Sequence, residues 1–460
     1  MQTEILKEHD LTQLASDVVT KALKAGASDA EVVVYEGEEF SALVRLGQVE
    51  TLKEAASRGV GLRVFVGQRT ASTSSSDFSR ESIERLIGGA LELAKITSED
   101  PFAGLPEAGA FGKLDEDLGL YFDDVQAMPP AERIEIARQT EAVAMAYDTR
   151  IQNSGGGGFD ASTSHKILMN SRGFQGEYRK SYCGFSCVPI AQEATGGMQR
   201  DYWYSSARTT KKLDTPEAVG EEAARRTLRR LGARRVPTQK APVVFSPEIA
   251  RSIIGNVFEA ANGDAIYRQA SFFAEMLGQK VAGDNITVVD DGTMVFDGVG
   301  GFGTQPFDGE GLPTRRTVVV ERGVLKNYMM NTYTARKLGM HSTGNASRGL
   351  AGAPGIGAGN FYLEPGTLPP EAIISDVKQG LYVTQTMGFG VNLVTGDYSQ
   401  GASGLWIENG ELAYPVEEIT IAGNLKDMYR NIVAIGNDLV FRSSSAAPTI
   451  RVEGMTIAGA

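Results

Sequence analysis

The sequence predicts an α+β protein, with a mixed helix and antiparallel-strand amino-terminal domain and a strand-rich carboxy-terminal domain. Three observations predict it. Apolar residues recur at spacings of three and four in a few capped segments, the mark of amphipathic helices. Between them lie short β-branched runs bounded by Gly, Asn and Asp, the pattern of antiparallel strands and tight turns. Gly supplies 54 of the 460 residues, densely over 292–311 and 344–366, which suits turns and close backbone approaches rather than a helical bundle. The sequence carries no fixed-period repeat, which removes solenoids and propellers.

The elements follow in order. Asp10 caps a helix whose stripe is Leu11, Leu14, Ala15, Val18, Val19, Ala22 and Leu23, and Gly26 closes it. Strands are expected at 30–35, 40–46, 51–56, 59–66 and 69–74, as a meander. Ile83, Leu86, Ile87, Ala90, Leu91 and Ala94 make a second helix, and a loop around 99–119 precedes a third over 130–147. Residues 150–210 return to strands, and a fourth helix starts at Thr215-Pro216. The stretch 232–242 has linker composition, dividing the chain into domains 1–235 and 236–460, although length alone suggests about three. Beyond it, 243–245 is a strand, 246–262 a helix, and hairpins are expected at 318–325 and at 404–408 turning on Asn409-Gly410.

Hydrophobic content of 42% and charged content of 22% are those of a globular protein. No window approaches the roughly 18 to 20 apolar residues of a membrane span. Residues 1–10 lack the basic and apolar regions of a secretory signal, so the expected location is cytoplasmic. A net charge of −12 opposes broad binding to a phosphate backbone. The one dense basic run is Arg225, Arg226, Arg229, Arg230, Arg234 and Arg235. With Glu221 and Glu222 four residues ahead of Arg225 and Arg226, it reads as a solvated helix face. Cys183 and Cys187 lie on a strand, about 13 Å apart, too far for a bridge, and read as ordinary reduced side chains.

Metal and nucleophile chemistry find little material. His9, His165 and His341 stand in separate segments with no partner at ligand spacing. No Gly-x-Ser-x-Gly elbow is present. Gly355-Ile356-Gly357-Ala358-Gly359 follows Pro354 and leads into a strand at 361–363, so it reads as a close-contact loop rather than a dinucleotide fingerprint. Asp290-Asp291-Gly292 reads as a turn, while Asp308 and Glu310, two apart in a Gly-flanked loop, are the better candidates for acid–base or hard-cation work.

The most informative segment is the helix 246–262. Ser246 suits the N-cap and Pro247 the first helical position; Asn262-Gly263 is a stop. Ile249, Ala250, Ile253, Ile254, Val257, Phe258 and Ala261 form its stripe, with Glu259 just outside. After it come Asp290-Asp291-Gly292-Thr293-Met294, Phe307-Asp308-Gly309-Glu310-Gly311, Ala335-Arg336-Lys337-Leu338-Gly339, Ser342-Thr343-Gly344-Asn345, Thr395-Gly396-Asp397-Tyr398-Ser399 and Gly404-Leu405-Trp406-Ile407-Glu408-Asn409-Gly410. In this order over 243–440 the chain resembles the TldD/PmbA family of metallopeptidase proteins; the amino-terminal half matches more loosely, mainly through Asn170-Ser171-Arg172-Gly173-Phe174.

In the TldD branch the helix carries His-Glu-x-x-x-His, two metal-binding histidines and a water-activating glutamate. Laid on this chain, the glutamate falls on Glu259 and the histidine positions on Phe258 and Gly263. Ligands five apart lie about 140° round an ideal helix, so they converge only where the helix ends or distorts. That branch also uses a cysteine near the carboxy terminus, and no cysteine follows Cys187. The resemblance therefore implies the PmbA branch, also called TldE: a cytoplasmic subunit without a metal or other cofactor of its own. It is paired with a TldD-type chain that holds a zinc-type metal, or self-associated as a homodimer. It implies unfolded or short peptide substrates, with Asp308, Glu310, Asp397 and Ser399 as candidates for lining their channel. Family members are linked to peptide-antibiotic maturation, antitoxin degradation and modulation of DNA gyrase. Two rival readings are an independently active peptidase using Glu259, Asp264 and His341, and a gyrase-associated nucleic-acid regulator.

Overall fold

The structure, a computed structural model, describes residues 10–194 and 196–459. His9 and residues 1–9 of the stretch read for a secretory signal lie outside the described residues. The architecture is α+β, with helices and antiparallel sheet in both halves.

In the first half, α1 (Leu11–Lys24) starts where the Asp10 carboxylate accepts the Gln13 N–H at 3.0 Å. Then come β1 (Asp29–Arg45), β2 (Gln48–Val66), β3 (Arg69–Ser75), α2 (Arg80–Ile96), α3 (Asp123–Ala127) and α4 (Pro130–Ala146). They lead to β4 (Ile151–Asn170), β5 (Gln175–Gln192), β6 (Met198–Arg200), β7 (Trp203–Ala207) and α5 (Pro216–Leu228). The strands form one antiparallel sheet in the order β3-β2-β1-β4-β5-β6, with β7 also on β5. The four strands expected at 30–66 are two. Gly37, which looked like a break, pairs with Ser57 on one side and Ser164 on the other, so two continuous ladders override a weak local signal. Helices α1 and α2 cover one end of one face through Val32, Val34, Leu62 and Val64. Phe40, Ala42, Phe159 and Phe185 make the core at the other end, with Ala137 of α4 and Val219 of α5.

In the second half, β8 (Gln239–Phe245) leads through α6 (Pro247–Ala261) and α7 (Gly263–Tyr267) to β9 (Val288–Asp291), β10 (Val295–Phe296) and β11 (Val299–Gly300). Next come β12 (Arg316–Glu321), β13 (Val324–Leu325), α8 (Thr332–Leu338), β14 (Ala346–Ser347), β15 (Gly355–Ile356), β16 (Asn360–Leu363) and α9 (Pro370–Ser375). The chain ends with β17 (Gln379–Met387), β18 (Asp397–Glu408), β19 (Glu411–Asn424), α10 (Leu425–Arg430), β20 (Ile432–Ile435), β21 (Ser445–Ala446) and β22 (Ile450–Ala458). β19, β18, β17, β8 and β22 are paired in turn, and β19 pairs back with β22, closing a ring of strands. A second sheet runs β13-β12-β9-β16-β21. Ala250, Ile253, Ile254, Val257, Ala260 and Ala261 of α6 are buried in the core between these sheets.

Three expectations need correction here. The linker is shorter than 232–242, because β8 already starts at Gln239; Pro242 is tolerated there at a register shift against β22. Asp290-Asp291 ends a strand rather than making a plain turn, since β9 pairs on both sides with β12 and β16. The arginine run is not a solvated face. Only Arg225 keeps a surface partner within its helix, Glu222 at 2.6 Å and three residues away. Arg226 is buried beside Asp201 at 3.7 Å and stacks on Trp203 at 4.6 Å. Arg230 hydrogen-bonds Gln385 and Ser403, Arg234 lies over Tyr414, and Arg235 pairs with Glu418. These partners all come from distant segments, which local spacing cannot show.

Candidate functional site

The end of α6 is held by main chain. Asn262 is at once its C-cap and the N-cap of α7, its side chain accepting the Asp264 N–H at 3.0 Å. The Gly263 N–H donates to the Met329 carbonyl at 2.8 Å, and the Met329 N–H to Ala261 at 2.9 Å. The segment before α8 is thereby pressed against the helix end. A Cβ at Gly263 would stand 2.8 Å from Thr334 Oγ1, 2.9 Å from Met330 Cγ and 3.0 Å from the Met329 carbonyl. An imidazole there would require the Thr334 and Met330 side chains to shift. Ser246 occupies the N-cap position, but its hydroxyl is buried without a partner; its main-chain carbonyl receives the first helical N–H groups instead, correcting the expected side-chain cap.

Phe258 is half-buried and stands edge-on to Phe361, ring centroids 5.5 Å apart. Glu259 is exposed on the outer side, and the nearby protein pushes its carboxyl above the usual range by desolvation. Asp264 pairs with Arg268 at 3.0 Å, His341 is exposed, and His165 meets Glu177 at 3.0 Å. Among the described residues no three His, Cys, Asp or Glu side chains gather as a metal site. The residues at the helix end, an aromatic ring and a crowded glycine, carry no donor atom and do not fit a zinc-type ion.

The carboxylates of 290–310 are buried. Asp308 accepts the N–H groups of Glu310, Leu312 and Ala346 at 2.9–3.0 Å. Burial, and then the neighbouring Glu310, raise its pKa to about 7. Glu310 accepts the Thr332 N–H at the start of α8 at 2.9 Å, and burial pushes it up as well. Asp290 holds Asn345 Nδ2 and the Gly359 N–H, each at 2.7 Å, and burial raises it to about 6. It thereby fixes the glycine loop 355–359, which has no helix after it. Asp397 and Ser399 instead lie exposed at the start of β18, and Thr395 and Asn424 hold the Asp397 carboxyl below its usual range. The four residues therefore divide between a buried loop and an exposed strand end.

Sequence reasoning missed the ionic knot joining the halves. Glu31 of β1 meets Arg63 at 2.5 Å and Arg348 at 2.8 Å, all three buried. Its one signal was a charge inside the apolar run 30–34. Beside it, Leu350 rests directly on Gly59 and Gly61, where any Cβ would collide with it.

The fold and helix define a metallopeptidase-type chain with an aromatic ring, Phe258, and a glycine, Gly263, where the resemblance places histidines. The chain belongs to the PmbA/TldD family, on its PmbA side. It matches the models for PmbA/TldA metallopeptidase domain 1 over residues 30–94, the central domain over 123–231 and the C-terminal domain over 238–459. It is 38% identical over 450 residues to Metalloprotease PmbA of Escherichia coli O157:H7, covering 97% of this chain and 96% of that one. It is 36% identical over 460 residues to a Metalloprotease PmbA homolog of Haemophilus influenzae, covering 99% and 98%. A solved structure from Bacteroides thetaiotaomicron, described as a candidate modulator of DNA gyrase, superposes with a TM-score of 0.90 at 28% identity, covering 98% and 100%. TldE of Thermococcus kodakarensis shares the fold, with a TM-score of 0.86 at 21% identity, covering 97% of this chain and 100% of that one.

Proposed function

We propose that this chain is the metal-free subunit of a two-chain cytoplasmic metallopeptidase acting on unfolded or short peptides. A partner carrying His-Glu-x-x-x-His supplies the zinc-type ion. The observation that carries the reading is the closed cradle at Gly263 together with Phe258 turned onto Phe361. This chain supplies wall and strand edges, which take extended peptides through main-chain hydrogen bonds with little dependence on side chains. The experiment is a tagged pull-down from the native host. The expected outcome is a co-purifying chain with the intact motif, and peptide cleavage by the mixture but not by either chain alone. Stoichiometric zinc in the isolated chain, removed by a chelator with loss of cleavage, overturns it.

A regulatory role on DNA gyrase is a second reading, favoured by the description of the Bacteroides thetaiotaomicron structure. It predicts DNA affinity that falls steeply with salt. The net charge of −12 and the engaged arginines 226, 230, 234 and 235 weigh against it.

A further inference from the structure

The first sheet has a cleft on its helix-bearing face, built by register. Phe40 stands opposite Glu54 on one side and Ala161 on the other; Glu38 stands opposite Ala56 and Thr163. Directly opposed residues project to the same face, so these six form two rows across β2, β1 and β4. The segment joining α3 to α4 overhangs them with Val125, Met128 and Arg133, enclosing about 540 Å³. Every residue lining this space belongs to the first half of the chain.

The floor is apolar. Phe40, Val125 and Ala161 belong to one buried cluster, and Met128 packs against it. The Arg133 guanidinium lies 4.7 Å from the Phe40 ring centroid, on a residue only 9% exposed. Its Nη2 donates to the carbonyls of Val125 at 2.7 Å and Gln126 at 3.3 Å. Its Nε and Nη1 make no hydrogen bond, and no carboxylate among the described residues comes within ion-pair distance. Glu54 is the carboxylate whose field Arg133 feels most, yet it too lacks an ion pair or hydrogen bond with a described residue. Glu38, by contrast, is held by Gln126 Nε2 at 2.9 Å. A nearly buried cation and an unpaired anion thus stand close without meeting.

The exposed Glu38 and Glu54 oppose a lone anion in this cleft, and Arg133 opposes a lone cation. A ligand carrying both charges on one carbon answers both, and the floor suits an apolar group beside them. We propose that the cleft binds a free α-amino acid with a large apolar side chain, its carboxylate on Arg133 and its ammonium on Glu54. The guanidinium takes the carboxylate through Nη1 while Nη2 stays on its carbonyls. The side chain lies on Phe40, Val125 and Met128. The site involves neither α6 nor a partner chain, so it stands or falls separately from the two-chain reading.

The test is calorimetric titration of the purified full chain at pH 7.5 with L-phenylalanine. Saturable binding is expected. Glycine, L-phenylalaninamide and N-acetyl-L-phenylalanine, each lacking one of the three groups, should bind about tenfold more weakly or worse. Glu54→Gln should weaken phenylalanine about tenfold and leave N-acetyl-phenylalanine, which has no ammonium, unchanged. Glu54 is exposed, and an unaltered melting temperature confirms that the variant is folded. No saturable binding of phenylalanine, equal affinity for its amide or N-acetyl form, or affinity unmoved by Glu54→Gln overturns the proposal. So does glycine that binds as tightly as phenylalanine.

Discussion

Phe258 and Phe361 face each other edge to ring, their planes 75° apart, where a metal-binding helix of this family would begin its ligand set. The contact ties α6 to β16 and packs against the core the position to which the resemblance assigns a histidine. Restoring one histidine is therefore not enough. Phe258→His is expected to bind no zinc stoichiometrically, measured by metal analysis after dialysis.

The second position is closed by sterics. Gly263→Ala is expected to cost about 1–3 kcal/mol, as overpacking does, because its methyl group meets Thr334, Met330 and Met329. Urea unfolding measures it; an unchanged midpoint would contradict the crowding.

Glu31 serves two guanidinium groups. Glu31→Gln leaves Arg63 and Arg348 buried with only the desolvated Glu310 as an acidic neighbour and is expected to cost about 3–5 kcal/mol. Arg348→Met leaves the Glu31–Arg63 pair intact and should cost less. The order of the two urea midpoints checks this.

Asp308 and Asp290 are raised to about 7 and about 6 by burial. The folded protein therefore holds protons that the unfolded chain has released. Their contribution to stability is fully present below about pH 4, the unfolded value, and is lost as pH rises through 6 and 7. Asp308→Asn is expected to flatten that decline between pH 4 and 8, read from chemical denaturation at several pH values; an unaltered slope would contradict it.

Burial pushes the Cys183 and Cys187 thiols up to about 12. Neither should react with a thiol reagent at pH 8 until the chain is unfolded, when both should react.

Periodicity found α1, α2 and α6, each of which buries one apolar stripe, whereas α4 buries Arg133, Thr140 and Glu141 and shows no such stripe. It failed where strands outran their local signals. Glu36, Gly37, Glu38 and Glu39 look like a turn, yet ladders on both sides hold them extended. The identities of Phe258 and Gly263 at the helix end were readable directly, since they are local. The crowding around Gly263 was not, because it comes from residues 329–334. For the same reason the buried roles of Asp308, Glu310 and Arg226 lay beyond the sequence: each depends on a partner far along the chain or on the other half.

The arginines after α5 have a consequence for the molecule's integrity. Arg230 reaches β17 and β18, Arg234 and Arg235 reach β19, and Gln199 binds Glu417 at 3.1 Å. A protease nick between 235 and 238 would leave the fragments clamped together in solution. Residues before and after that point could be expressed as separate polypeptides and reassemble into the intact shape.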